Sequence, residues 1–199
     1  MSKTEAFNEA VRIASAKLAD ADFAGKAENL GFNLERPDTI FVRILGSDCT
    51  VSTKSFEVSD KVTGKAVKPE VRILILHYLL CENSPCPSGK LISFRELPGG
   101  QFYYGPFQSR SVNIVASVVK NDLERLRKNL VRFDYRELEM GDLSAEIHVI
   151  GKVYATFVYR IGDEEFPPSA ELLFDSSIKG IFSTEDVTFI ASLVCRGLL

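Results

Sequence analysis

Apolar residues recur at three- and four-residue steps in residues 4–19, where Phe7, Val11, Ala14 and Leu18 would share one face of a helix. The next pattern is different. Thr39 to Leu45 (TIFVRIL) is β-branched and apolar, which predicts a core strand. Gly46-Ser47-Asp48 predicts a hairpin turn into a second strand, CTVSTKSFEV, with Cys49, Val51 and Thr53 on one face. A turn at Thr63-Gly64-Lys65 leads to Pro69 and a helix over 70–81, EVRILILHYLLC. It is apolar nearly all round and therefore expected at the centre of the fold. The linker ENSPCPSG, with Pro85, Pro87 and a glycine, cannot continue it.

Alternation resumes at Leu91 to Leu97 (LISFREL), read as a strand, and PGGQFYYGPF follows as a turn packed with aromatics. From Ser109, Val112, Val115, Val119, Leu123, Leu126 and Leu130 fall on a helical stripe. Asn121 with Glu124 resembles a capping box, which would split the stripe into two helices. Residues 145–150, 152–161 and 170–175 read as strands, the first two joined by a turn at Gly151. Ser183-Thr184-Glu185-Asp186 opens a last helix, with Ser183 as its cap.

These elements predict one α+β domain over 1–199, an antiparallel or mixed sheet with covering helices. The halves share an order of elements. FVRILGSDCTVS has a counterpart in IHVIGKVYATFV, and EVRILILHYLL in VTFIASLVCRGLL. Either an αβββα unit was duplicated, over 4–81 and 108–198 with 82–107 inserted, or glycine turns between apolar strands recur by chance.

Composition narrows the function classes. A net charge of −3 and a pI of about 5.5 give no electrostatic footprint for nucleic acid or an anionic membrane. The first 20 residues carry Glu5, Glu9 and Asp20 and do not read as a signal peptide. Val71 to Cys81 is shorter than the about 20 residues that span a bilayer. Four cysteines without a CxxC pair suggest reduced thiols in a cytoplasm.

Three groups of residues could carry chemistry. In IGDEEFPPSAELLFDSS, Asp163, Glu165, Glu171 and Asp175 could offer oxygens to a hard cation, or serve as acid and base. The preferred reading is plainer: a turn rigidified by two prolines, with charges keeping a sheet edge from pairing. His77 and Cys81 share a helical face, and with Cys86 they could present soft ligands, the fourth coming from Cys49 or Cys195. A core histidine bonded to a carbonyl is the preferred alternative. Likewise His148, alternating with Glu146, reads as a solvated strand face. The basic run Arg125, Arg127, Lys128, Arg132 and Arg136 reads as a solvated helix end.

PGGQFYYGPF is the best binding candidate. Gly99 and Gly100 permit left-handed backbone and close approach. Phe102, Tyr103, Tyr104 and Phe107 supply flat surfaces, and Arg95 and Arg110 flank them as cationic donors, which suits a planar ligand or a partner's surface. The competing assignment is that these rings plug one end of the core. No P-loop, dinucleotide fingerprint, nucleophile elbow or zinc-hydrolase motif is present.

Four segments taken together, LILHYLL at 74–80, LISFRELPGGQFYYGPF at 91–107, GDEEFPPSAELLFDSS at 162–177 and STED at 183–186, carry a family resemblance. The chain resembles an uncharacterised "domain of unknown function" family of anaerobic bacteria and archaea. Its members are often fused to an iron–sulfur module similar to that of corrinoid methyl-carrier proteins. The resemblance implies a setting near corrinoid or iron–sulfur one-carbon metabolism and no established activity or cofactor. The chain itself carries no cysteine-rich cluster of that kind. The expectation is therefore a non-catalytic accessory module, contacting a protein partner or small planar ligand through 98–107 and 162–169. The competing expectation is a metal-dependent enzyme using the acidic cluster, with His77 or His148 as proton carrier.

Overall fold

The computed structural model describes residues 3–36, 38–82 and 86–199. Pro85, expected to help end the long apolar helix, lies outside them. The chain forms two compact units, residues 1–86 with 150–152 and residues 87–149 with 153–199. Both are α+β, and every strand pair with an assigned register is antiparallel.

In the first unit, α1 (Lys3–Leu18) and α2 (Phe23–Leu30) precede β1 (Asn33–Arg36), β2 (Thr39–Ile44), β3 (Ser47–Ser52) and β4 (Val58–Asp60), and α3 (Pro69–Leu79) follows. Alternation in TIFVRI buries Ile40, Val42 and Ile44 on one face of β2. The β2–β3 hairpin closes through Leu45 and Gly46 at φ 47° and 77°, the left-handed pair that a tight hairpin requires.

CTVSTKSFEV is not one strand. β3 stops at Ser52, whose hydroxyl accepts the amides of Lys54 and Ser55, so a local turn competes with the ladder. The chain reverses at Phe56 (φ 54°) and returns as β4. Thr53 therefore leaves the face it was expected to share with Cys49 and Val51.

α3 begins at Pro69, whose missing N–H costs nothing at a helix start. It buries Ile73, Leu74, Ile75, Leu76, Tyr78 and Leu79 and packs on α1. Past its end, Lys26 Nζ donates to the carbonyls of Leu79 and Cys81 at 3.2 and 3.0 Å. The buried Tyr78 hydroxyl donates to the Leu30 carbonyl at 2.6 Å and accepts from the Lys152 amide at 3.1 Å. A Cβ on Gly151 would lie 2.1 Å from that oxygen, so glycine is required there by close approach as well as by its φ of 53°.

The second unit holds β5 (Leu91–Ser93), a 3₁₀ turn over Phe94–Glu96, α4 (Gly100–Arg110), α5 (Val112–Val119), α6 (Leu123–Leu130), β6 (Tyr135–Leu138), β7 (Leu143–Ile150), β8 (Val153–Arg160), β9 (Ser169–Asp175) and α7 (Thr184–Gly197). Its strands lie in the order β6-β7-β8-β9-β5. β8 is central, and Ala155, Thr156, Phe157, Val158 and Tyr159 are buried on both of its faces. α5 packs on β9 and on α7.

Two local expectations change. β5 ends at Ser93 and not at Leu97, because the Ser93 amide donates to Glu96 Oε2 at 2.9 Å and winds a 3₁₀ turn. The apolar stripe does break in two, at Lys120 with φ 54°, but the cap of α6 is Asp122, accepting from the Arg125 amide at 3.0 Å. Asn121 instead makes a reciprocal pair with Gly162, donating to its carbonyl at 3.0 Å and accepting its amide at 2.9 Å. α7 opens with Ser183 as its cap, as expected, and the buried Asp186 reciprocates to close a capping box.

Candidate functional site

PGGQFYYGPF is not a turn but the start of α4. The helix escapes a periodicity reading because its exposed face is as apolar as its buried one. Gly99 supplies the left-handed cap, at φ 70°. Gly100 lies against the 3₁₀ turn, where a Cβ would meet the Phe94 carbonyl oxygen at 2.0 Å. Both glycines thus serve geometry. Pro106, inside the helix, has no N–H to offer the Phe102 carbonyl, so that acceptor is left for other partners.

The rings separate by depth. Phe107 is buried at 4% exposure and stacks on Phe94, centroids 3.9 Å apart and planes 12° off parallel. It belongs to the core and also lines an adjoining cleft, so the four rings do not share one environment. Tyr104 is half-buried, with the Arg95 guanidinium 4.0 Å above its ring. Phe102 and Tyr103 stand out at 87% and 64% exposure. Tyr103, but not Phe102, lines the same cleft, of about 460 Å³. Its apolar lining includes Phe94, Tyr103, Pro106 and Phe107, with Phe189 from α7, and Arg110 and Glu185 bring the charge. The Thr184 hydroxyl donates to the Pro98 carbonyl at 2.7 Å, tying the start of α7 to the segment before α4.

The α7 side of the cleft was missing from the sequence reading. STED marked a helix start, but nothing in one sequence says which loop that helix meets. The second expected contact, residues 162–169, exposes Phe166 at 67%. Pro167 and Pro168 line an open groove that Ala116, Ser117 and Asn121 also line.

The acidic residues are occupied separately. Asp163 accepts the amides of Glu165 and Phe166 at 2.9 and 2.7 Å, a local turn that the two prolines follow. Amides donated by Phe166 and then Glu165 hold its carboxyl below the usual range. Glu165 stands exposed on that turn. Glu171 pairs with Arg160 at 3.1 Å on the neighbouring strand. Asp175 accepts the Ser88, Gly89 and Ser177 amides at 2.9, 2.8 and 2.9 Å, and the Ser88 hydroxyl at 3.0 Å. Burial alone would raise its pKa, but these donors from Ser88 and Ser177 outweigh it and the net shift is downward.

His77 is half-buried on α3, and the Cys81 thiol, past the helix end, lies 4.0 Å from the His77 carbonyl as a weak donor. Burial raises the Cys81 thiol pKa, although Lys26 nearby lowers it somewhat. Burial, with Asp60 and Asp48 adding, pushes Cys49 up to about 11, and burial pushes Cys195 up to about 12. Burial thus disfavours the thiolate, the nucleophilic form, at all three positions. Among the described residues no three of His, Cys, Asp and Glu gather as a metal site would require.

His148 is half-buried and meets Tyr154 edge-on at 5.4 Å. The basic run is employed as well: Arg127 pairs with Glu137 and Arg136 with Glu146, at 3.2 and 3.0 Å. Arg125 and Arg132 donate to the carbonyls of Leu199 and Gly197 at the end of α7. Among the described residues no helix is long and apolar enough to cross a membrane.

These features define an α+β protein of antiparallel sheets whose second unit carries a ligand-sized aromatic cleft. The chain belongs to the family described as Domain of unknown function (DUF3786), whose model matches residues 22–197 and so leaves α1 outside the match. No curated protein and no solved structure matches it.

Proposed function

We propose that this chain is a non-catalytic binding module that receives a partner or a small planar ligand on the face formed by α4 and the start of α7. One observation carries the reading. Tyr103, 64% exposed, lines an apolar cleft of about 460 Å³ that has an arginine at its border, and Phe102, the residue before it in α4, stands in water at 87% exposure. Exposed aromatics next to a concave apolar surface are costly to hydrate and cheap to cover, which is the usual arrangement of a recognition site. Support for binding over chemistry comes from the reactive groups: the carboxylates build turns and strand pairs, and burial keeps Cys49 and Cys195 protonated. The motif resemblance directs the search for a partner toward corrinoid and iron–sulfur methyl-transfer proteins, and that part of the reading rests on the resemblance.

The test is a thermal melt against planar aromatic compounds, together with a pull-down against candidate partners. A binder raises the unfolding temperature by mass action. Tyr103→Ser and Phe102→Ser should abolish that rise or the retention, while changing the stability of the free protein by less than about 0.5 kcal/mol, since both rings are exposed. Binding that survives both substitutions would move the site elsewhere. No binder of either kind would end the proposal.

A further inference from the structure

Two cavities of the second unit meet at one side chain. Arg110, at the end of α4, lines the aromatic cleft and also a smaller hollow of about 300 Å³ between the ends of α4 and α7. The hollow has a different chemistry. Three serines, Ser109, Ser111 and Ser192, line it with Arg110 and Arg196, and no side-chain carboxylate does. Two of the hydroxyls are committed: Ser109 donates to the Pro106 carbonyl at 3.1 Å and Ser111 to the Phe107 carbonyl at 2.6 Å. Among the described residues the guanidinium groups of Arg110 and Arg196 and the hydroxyl of Ser192 have no hydrogen-bond or ion-pair partner.

Arginines commonly sit at helix ends to offset the negative pole. At the end of α7 that role is already filled. Arg125 and Arg132 donate to the carbonyls of Leu199 and Gly197 at 3.2 and 3.1 Å, and Asn129 donates to that of Leu198 at 3.1 Å. Arg196 and Arg110 are left over, both bordering a hollow the size of a small headgroup site. Glu185 lines the cleft but not the hollow, so the two guanidinium groups meet no carboxylate side chain among the residues lining the hollow.

We infer that cleft and hollow form one bipartite site for a small amphiphile, with a planar apolar body against Phe107, Tyr103 and Phe189 and an oxyanion between Arg110 and Arg196. The oxyanion is a carboxylate or a phosphate monoester, which two guanidinium forks and a hydroxyl donor suit equally. This rests on the reading of the cleft as a binding site and adds the chemical class of what it holds.

The experiment is calorimetric titration of the full chain with four probes: 1-naphthyl phosphate, 1-naphthoate, 1-naphthol and inorganic phosphate. At least one anionic naphthalene should bind about tenfold or more tighter than 1-naphthol, weaken with added salt, and outcompete inorganic phosphate. The tighter of the two identifies the headgroup. Arg196→Gln, an exposed position whose change leaves the core intact, should bring the anionic probes down to the affinity of 1-naphthol, and Arg110→Gln should do the same. Equal affinity for charged and neutral probes, or no effect of Arg196→Gln, would overturn the bipartite site and leave the cleft standing. If no naphthalene binds, charged or neutral, the ligand reading of the cleft itself falls.

Discussion

Replacing Asp175 by Asn tests whether the acidic stretch is structural. The carboxylate at the end of β9 ties down the segment leading into β5: Oδ1 accepts the amides of Ser88 and Ser177, and Oδ2 accepts that of Gly89 at 2.8 Å. An Asn side chain can keep its oxygen at the first position. Its NH₂ group then faces the Gly89 N–H, so one charge-assisted bond becomes a clash of donors and the other two weaken to neutral strength. A hydrogen bond to a charged group contributes about 1.5–3 kcal/mol. Asp175 is only half-buried, so water screens part of this and the lower end applies, a loss of about 2 kcal/mol. For a chain of this size that lowers the melting temperature by about 4–8 °C.

The pH dependence gives a sharper signature. Because the folded pKa is depressed, the stabilisation is complete above the unfolded carboxyl's value of about 3.9 and is lost as pH falls through the folded value. Urea midpoints of wild type and Asp175→Asn should differ at pH 7 and converge below about pH 4. Equal midpoints at pH 7, or a gap that stays constant down to pH 2, would refute the structural assignment.

Two further outcomes follow from the geometry. Gly100→Ala should destabilise markedly, because its Cβ would overlap the Phe94 carbonyl oxygen, whereas Gly105→Ala in the same helix should be neutral or stabilise by up to about 1 kcal/mol, since nothing lies within 4 Å of its Cβ; denaturant titration of the pair checks this, and equal effects would contradict the packing of α4. Thiol labelling at pH 8 should modify exposed Cys86 first and half-buried Cys81 more slowly, leaving Cys49 and Cys195 intact until the protein unfolds; fast reaction of Cys195 would contradict its burial.

The sequence by itself determined the elements whose signals are local. TIFVRIL alternates, EVRILILHYLLC is apolar on every side, and Ser183 stands three residues before Asp186, so the strand, the buried helix and the cap were legible as periodicity and capping chemistry. The turn at Gly151 was legible too, though its further reason, the Tyr78 hydroxyl where a Cβ would go, was not. α2, β1 and β6 run four to eight residues, too short for a period to register.

Tertiary structure alone decided the geometry of the candidate site. Gly99 and Gly100 suggested a turn, yet they start a helix because the chain folds back against Phe94. Which of Phe102, Tyr103, Tyr104 and Phe107 would be wet depended on that helix's orientation. The α7 wall of the cleft and the pairing of Arg110 with Arg196 around one hollow join residues 86 positions apart. Local pattern reports what a segment can form from its own backbone and side chains, whereas a cavity is a property of the surfaces that distant segments leave between them.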